Sequence, residues 1–385
     1  MDRDTELALL RRGIARAREG SPDQGATQHR SPIDRYLDSA RYECELTSIF
    51  RRVPQIVAHA SELPEPSAFV TRTLYGVPIL ITRNKAGAIG AFLNVCRHRG
   101  TRLVDAPRGV RPRFSCPYHA WTYDLDGALV GVRQREGFPH LDMAESGLVR
   151  LSAEERHGFV WLSLDRGTNV DVASYLGAEL DRELTAYALD ALEPYRPEHR
   201  RWAANYKLLV EGGLEAYHFK IAHARTIAPL FCDNVFLGDR FGDPFRDHFR
   251  NVLLKSSVRA LEGTDEAEWR LRDHANILYT LFPHTALLVQ SDHVAWITFT
   301  PVAVDATDVT IALLVPKGPR DERTERRWEK NHALTLPTLA EDFALAESIQ
   351  STLASGANDA LTFGTYEHQL EAFHETLERW TTRQI

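Results

Sequence analysis

A chain of 385 residues, 43% hydrophobic and 26% charged, has the composition of an ordinary globular protein and is long enough for two cores. Its formal charge of −7 leaves no basic excess to neutralise phosphates, which argues against a nucleic-acid binder, and no apolar run approaches the roughly 20 residues of a membrane helix. The Arg- and Glu-rich start, Met1 to Gly20, lacks the apolar core of a secretory signal, so a cytoplasmic enzyme fits best.

Taken in chain order, residues 1–44 read as a polar helical arm followed by a loose linker around Ser21-Pro22-Asp23-Gln24-Gly25. Short β-rich runs then recur at Phe69–Leu74, Pro78–Thr82 and Ile89–Asn94, parted by turn chemistry at Gly76 and at Asn84–Gly87. Phe114–Cys116 and Phe159–Leu164 have the same texture, so residues 45–165 are expected to form a small antiparallel β domain. Beyond Gly167 the pattern changes. Val172–Ala191 has helical spacing, with Leu176, Leu180, Leu184 and Ala188 on one stripe. Ile277–Leu281, Ala286–Gln290, Val294–Thr300 and Val309–Val315 follow as a β-meander, and Asp321–Trp380 is mostly amphipathic helix with an interruption near Gly356. Residues 166–385 therefore read as an α+β domain, an antiparallel sheet with helices packed on one side.

Four cysteines in such a chain make no disulfide framework, and Cys44 and Cys232, which have no histidine company, read as small buried hydrophobes. Cys96 and Cys116 are different. Cys96-Arg97-His98 and Cys116-Pro117-Tyr118-His119 each pair one Cys with one His, across a 17-residue spacer. Two thiolates on one iron and two imidazoles on the other are the ligand set of a Rieske [2Fe–2S] centre, and the neutral imidazoles raise its potential above that of an all-cysteine cluster. A Cys₂His₂ zinc site is the plain alternative, but such sites usually pair Cys with Cys and His with His.

A second constellation lies at Asn205-Tyr206-Lys207 through His223. Glu215 and His218 are three apart and would share one face of a helix, whereas His218 and His223, five apart, reach one metal only if the helix ends or loosens around Lys220. Glu211 and Glu215 are candidates for shifted pKa values if buried. A Phe-rich run follows (Phe231, Phe236, Phe241, Phe245, Phe249), either pocket lining or, for most of it, core; Gly238–Pro244 has the look of an entrance loop.

The first segment resembles the Rieske domain of ring-hydroxylating and related non-haem iron oxygenases: Cys96-Arg97-His98-Arg99-Gly100, then Cys116 to Trp121, then Tyr123 and Gly127, with Ala120 in place of the usual Gly. The second resembles their catalytic domain: Asn205-Tyr206-Lys207, then Glu215, His218 and His223 at the family offsets, and an acidic helix at Glu341-Asp342 near the C-terminus. The resemblance spans roughly residues 45–350. It implies a catalytic domain of helix-grip, START-like build, with Fe(II) on His218, His223 and Asp342, the last chosen over Glu341. It also implies that Glu215 bridges this iron to the Rieske histidine of a neighbouring subunit. Glu at that position is typical of the branch acting on quaternary ammonium compounds, whose usual Asn three residues earlier is Gly212 here. The implied activity is oxygenation, with O₂ and electrons from NAD(P)H through a separate ferredoxin or flavin reductase, of an aromatic or related small organic substrate. The alternative is mono-oxygenation or N-demethylation of a quaternary ammonium compound. A reading of another class is an electron-transfer protein with a vestigial second site. The family's head-to-tail ring implies a homotrimer, with or without a β subunit.

Overall fold

The computed structural model describes residues 1–242 and 246–382 and divides into two units, residues 50–172, and residues 1–49 together with 173–385. The N-terminal segment contributes α1 (Arg3–Glu19), β1 (His29–Pro32), α2 (Asp34–Leu37) and α3 (Ser39–Glu45). Asp2 caps α1 by accepting from Thr5 N at 2.8 Å, and Gly20 closes it in the left-handed conformation. The stretch after α1, which the sequence presents as a loose linker, is tied to the larger unit: Asp23 N donates to Phe236 O at 3.2 Å and the Asp23 carboxylate accepts from Gly238 N at 3.1 Å.

Residues 50–172 carry β2 (Gln55–His59), β3 (Ala68–Leu74), β4 (Val77–Arg83), β5 (Ile89–Leu93), β6 (Arg108–Val110), β7 (Phe114–Ser115), β8 (Thr122–Tyr123), β9 (Leu129–Gly131), β10 (Arg150–Leu151), β11 (Ala153–Arg156) and β12 (Phe159–Leu162). They form three antiparallel sheets, in the orders β10-β5-β4-β3-β6, β11-β12-β2 and β7-β8-β9. Strand alternation decides which core each residue joins. Ile79 and Ile81 of β4 turn to a core shared with β2 and β12, while Leu80 turns to a second core that contains Cys96, Cys116, Trp121 and Tyr123. The cysteines thus sit against one face of a packed sheet.

The larger unit continues with α4 (Val172–Leu176), α5 (Ala178–Thr185), β13 (Leu192–Trp202), α6 (Tyr206–Glu211), α7 (Phe219–Ala222), β14 (Phe231–Phe241), β15 (His248–Lys255), α8 (Leu271–His274), β16 (Ala275–Leu281), β17 (Thr285–Val289), β18 (Val294–Ala303), β19 (Ala306–Pro316), α9 (Glu322–Leu353), β20 (Ala360–Phe363) and α10 (His368–Thr382). Its sheet is antiparallel throughout, in the order β13-β19-β18-β17-β16-β15-β14, so the expected meander is extended by three long strands. Several local expectations need correction. The helix expected over Val172–Ala191 is broken at Gly177 (φ 77°), and Ala188 is exposed in a left-handed conformation, although Leu176, Leu180 and Leu184 are buried as the stripe requires. Gly238 to Phe241 belong to β14 and are no entrance loop, because that strand pairs with β15 through Phe241↔His248; Pro244 and Phe245 lie outside the described residues. The interruption of the C-terminal helices holds β20, which pairs with β1. Among the described residues no helix is long and apolar enough to cross a membrane.

Candidate metal centres

In the smaller unit Cys96 and Cys116 head two loops closed by the same pair of backbone bonds. Cys96 N donates to Thr101 O at 2.8 Å and Gly100 N to Cys96 O at 3.0 Å; Cys116 N donates to Trp121 O at 2.8 Å and Ala120 N to Cys116 O at 3.0 Å. Each loop needs a left-handed residue four positions after its cysteine, and these are Gly100 (φ 76°) and Ala120 (φ 59°). The repeated turn gives both loops one geometry, so each presents its Cys and its His to a common space.

Both thiols are buried, and burial, together with the neighbouring Cys116, pushes the Cys96 thiol up. Tyr123 Oη lies 3.5 Å from Cys96 Sγ and accepts from Arg97 N at 3.0 Å. His98 stacks on Trp121 (centroids 4.8 Å, 8°), meets His119 edge-on at 4.7 Å and is flanked by Phe138. Burial, with His98, Arg99 and Arg133 behind it, lowers the His119 pKa and keeps that ring neutral, the form in which imidazole ligates. The Nδ1 atoms of His98 and His119 are both buried without a hydrogen-bond partner. Two orphaned imidazole nitrogens beside two buried thiols fit a [2Fe–2S] cluster.

The second site grows from α6. Asn205 caps it, accepting from Lys207 N at 3.0 Å, while its Nδ2 donates to Tyr36 O and Val304 O. Tyr206 Oη and Lys207 Nζ both donate to the buried carboxylate of Glu45, at 3.1 and 2.6 Å. The motif Asn205-Tyr206-Lys207 therefore anchors the helix to the N-terminal segment. α6 stops at Glu211. Gly213 lies so close to the sheet that a Cβ there would meet Leu278 Cδ2 at 2.8 Å, and Asn251 Nδ2 holds its carbonyl at 2.8 Å. Glu215 is consequently not on a helix with His218, as the spacing suggests; it precedes α7, and its carboxylate accepts from Tyr217 N, from His218 N at 3.2 Å and from His218 Nδ1.

His218 and His223 flank α7, which is only four residues long, so a five-residue separation brings the rings to 5.2 Å. Asp342 of α9 completes the group: its Oδ1 is 3.0 Å from His223 Nε2 and 3.4 Å from His218 Nε2, the latter without hydrogen-bond geometry. One potential ligand atom from each of His218, His223 and Asp342 lies within 4.8 Å of the others. The remaining imidazole nitrogens are held by carboxylates, His218 Nδ1 by Glu215 and His223 Nδ1 by Glu341 at 2.7 Å, with Thr226 donating to the same Glu341 oxygen at 2.7 Å. Burial opposes charge on His218, but the nearby carboxylates of Asp342 and Glu215 outweigh it and raise the ring to about 10; His223 is raised by Asp342 and Glu341 in the same way. The imidazoles depress Asp342 in turn, against its burial. A pocket that draws this much positive charge fits a divalent cation in place of two protons.

Behind this group is a cavity of about 90 Å³. Phe219, Phe231, Phe299 and Phe343 line it with aliphatic residues of the sheet, and Glu215, His223 and Asp342 form its charged end; among the described residues no Lys or Arg lines it. Of the described members of the Phe-rich run only Phe231 lines this cavity, and Phe236, Phe241 and Phe249 are buried. Four residues before Glu215, Glu211 accepts from Tyr36 Oη at 2.9 Å and His374 Nε2 at 2.8 Å; burial raises it to about 8 and lowers His374 to about 3, leaving both neutral near pH 7. Sequence reasoning considered Glu341 only as a rival ligand and did not find Tyr36 or His374, which approach from remote parts of the chain.

The family model for the ring hydroxylating alpha subunit (catalytic domain) matches residues 189–383, and that for the Rieske [2Fe-2S] domain matches residues 53–142. The chain is 26% identical, over 73% of its length and 72% of the relative's, to the glycine betaine monooxygenase oxygenase subunit of Pseudomonas aeruginosa. It is 31% identical, over 54% of its length and 45% of the relative's, to the anthranilate 1,2-dioxygenase large subunit of Acinetobacter baylyi. The crystal structure of the quaternary ammonium Rieske monooxygenase CntA with L-carnitine superposes with a TM-score of 0.77 at 25% identity, covering 94% of this chain and 97% of that one.

Proposed function

Since the chain belongs to the ring-hydroxylating alpha-subunit family, as a Rieske non-haem iron oxygenase, we propose that its substrate is a small, neutral, largely apolar molecule carrying a single aromatic ring. In this reading Cys96, His98, Cys116 and His119 hold the [2Fe–2S] cluster, and His218, His223 and Asp342 hold Fe(II) as two histidines and one carboxylate on one face. When bound, the cluster delivers single electrons and the ferrous ion supplies O₂ activation. The chain's own residues do the rest. Glu215 and Glu341 fix the orientation and tautomer of the two imidazoles, and Glu215 takes the bridging role towards a neighbouring subunit. Phe219, Phe231, Phe299 and Phe343 hold the ring and exclude water.

The observation that carries the substrate class is the absence of Lys and Arg from the cavity lining. Glycine betaine and carnitine each carry a carboxylate, for which none of the described lining residues supplies a Lys or Arg partner. A second reading has one observation in its favour: four phenyl rings and two carboxylates would suit a quaternary ammonium compound that has no carboxylate, such as choline. Electrons are assigned to NAD(P)H through a separate ferredoxin or flavin reductase. The assembly is assigned to a head-to-tail ring of three 43.6 kDa chains, about 130 kDa in mass, without a β subunit.

Turnover of toluene, glycine betaine, L-carnitine and choline with a reductase system tests the reading. A cis-diol or a phenol from toluene is expected, with three irons per chain. Formaldehyde released from glycine betaine or L-carnitine, with toluene untouched, would overturn it, and formaldehyde from choline alone would select the second reading.

A further inference from the structure

Four structural asparagines set the standard against which a fifth stands out. Asn94 clasps Val104 through both its N–H and its oxygen, Asn205 caps α6 and holds two carbonyls, Asn251 holds Gly213 O, and Asn84 closes a turn by accepting from Ala86 N and Ala88 N. Each does backbone work. Asn276 does not: it is half-buried on β16, and among the described residues no group hydrogen-bonds its side-chain amide.

Its placement follows from strand alternation. Asn276, Leu278 and Thr280 are two apart on β16 and all three line the cavity, and the cross-strand partner of Asn276 is Leu253 of β15, also a lining residue. Leu253 packs with Phe219, Phe231 and Phe236, which puts Asn276 on the side of the cavity formed by Phe219 and Phe231. Its hydrogen-bonding groups are therefore left open towards the cavity, where a Val or Leu at the same inward position would offer none. Resting on the aromatic-substrate reading above, we propose that Asn276 is a specificity-determining residue, whose amide binds a neutral polar substituent of the ring substrate. The amide offers two N–H donors and one carbonyl acceptor. It therefore suits a hydroxyl, carbonyl or nitro group, and with no cation in the lining it would leave a carboxylate's charge uncompensated.

Phenol and toluene are nearly the same size and differ by one hydroxyl, so they make the matched probes. Their dissociation constants are measured by calorimetry on the oxidised holoenzyme without a reductant, where no turnover occurs, for the wild type, Asn276→Leu and Asn276→Thr. The cluster's visible spectrum reports whether each variant is folded. Relative to toluene, the wild type is expected to lose about tenfold or more of its preference for phenol in Asn276→Leu, with Asn276→Thr, which keeps a hydroxyl, in between. A ratio of the two constants that stays within twofold in both variants would overturn the role of Asn276 and leave the aromatic reading standing. If Asn276→Leu loses its spectrum, Asn276→Thr alone decides, by the same twofold limit. If neither ring saturates the wild type while glycine betaine does, the substrate reading itself falls and the inference with it.

Discussion

The two metal-binding regions are put together over very different spans of chain. In the smaller unit all four candidate ligands come from two loops separated by 17 residues, each closed by the same two backbone bonds, and the imidazoles are steadied by ring contacts with Trp121 and Phe138. In the larger unit His218 and His223 flank one short helix, while Asp342 and Glu341 arrive on α9, Glu341 lying 118 positions after His223. There the imidazoles are steadied by carboxylates. A site made by local turns is held by its own backbone; a site made across a fold depends on charged side chains that can be removed one at a time.

The sharpest way to break the comparison is to delete one ligand of the second site and ask whether the first notices. In His218→Ala the iron content should fall from three to two per chain and turnover by roughly a thousandfold, about 4 kcal/mol of barrier. The visible spectrum of the cluster should stay unchanged, because its four candidate ligands lie within residues 50–172. A variant that loses both signals would show the two regions to be interdependent.

Glu341→Gln probes the carboxylate support itself. It keeps the shape but removes the charge that faces His223 Nδ1 at 2.7 Å, and loss of such an orienting partner typically lowers metal affinity or activity 10–100-fold. Iron retention against a chelator should fall within that range.

A smaller effect concerns Glu211, buried with Tyr36 and His374. Its folded pKa of about 8 lies above the ordinary 4.5, so the folded chain keeps a proton that the unfolded chain sheds, and stability declines as pH rises from about 4.5 through 8. Glu211→Gln should flatten that slope. Unfolding free energies from urea titrations at pH 5 and pH 8 should differ less in the variant than in the wild type, by on the order of 2 kcal/mol. An unchanged slope would mean that Glu211 is charged in the fold.

The same contrast in span explains what could be read from the residues. The Cys-x-His and Cys-x₂-His pairs are local and were legible as a pattern, as were the β-rich runs Phe69–Leu74 and Ile277–Leu281, which fall within β3 and β16. The offset of His218 and His223 was legible, but not the reason it works: Gly212 and Gly213 end α6 early, and Glu215 falls in the turn that follows, not on a helix. The pairing of β1 with β20 was not legible, because two four-residue strands more than three hundred positions apart carry no periodicity of their own. Glu341 and Asp342 look alike on paper, both being acids on one helix. Only the fold separates them, turning Asp342 to the Nε2 atoms and Glu341 to the far side of His223.

Ala120 offers the finest test of the local half of the comparison. The two cluster loops repeat one turn, and the turn requires a left-handed residue four positions after each cysteine. Gly100 meets that requirement freely; Ala120 meets it with a Cβ pressed towards the following carbonyl, at a cost of about 1 kcal/mol. If the backbone bonds alone hold the loop, Ala120→Gly should relieve this strain and raise the stability of the smaller unit by something under 1 kcal/mol, since glycine also gains entropy in the unfolded chain. The cluster spectrum and potential should remain as they are. A loss of stability instead would mean that the alanine methyl makes contacts worth more than the strain, and that side-chain packing as well as backbone turns holds this loop.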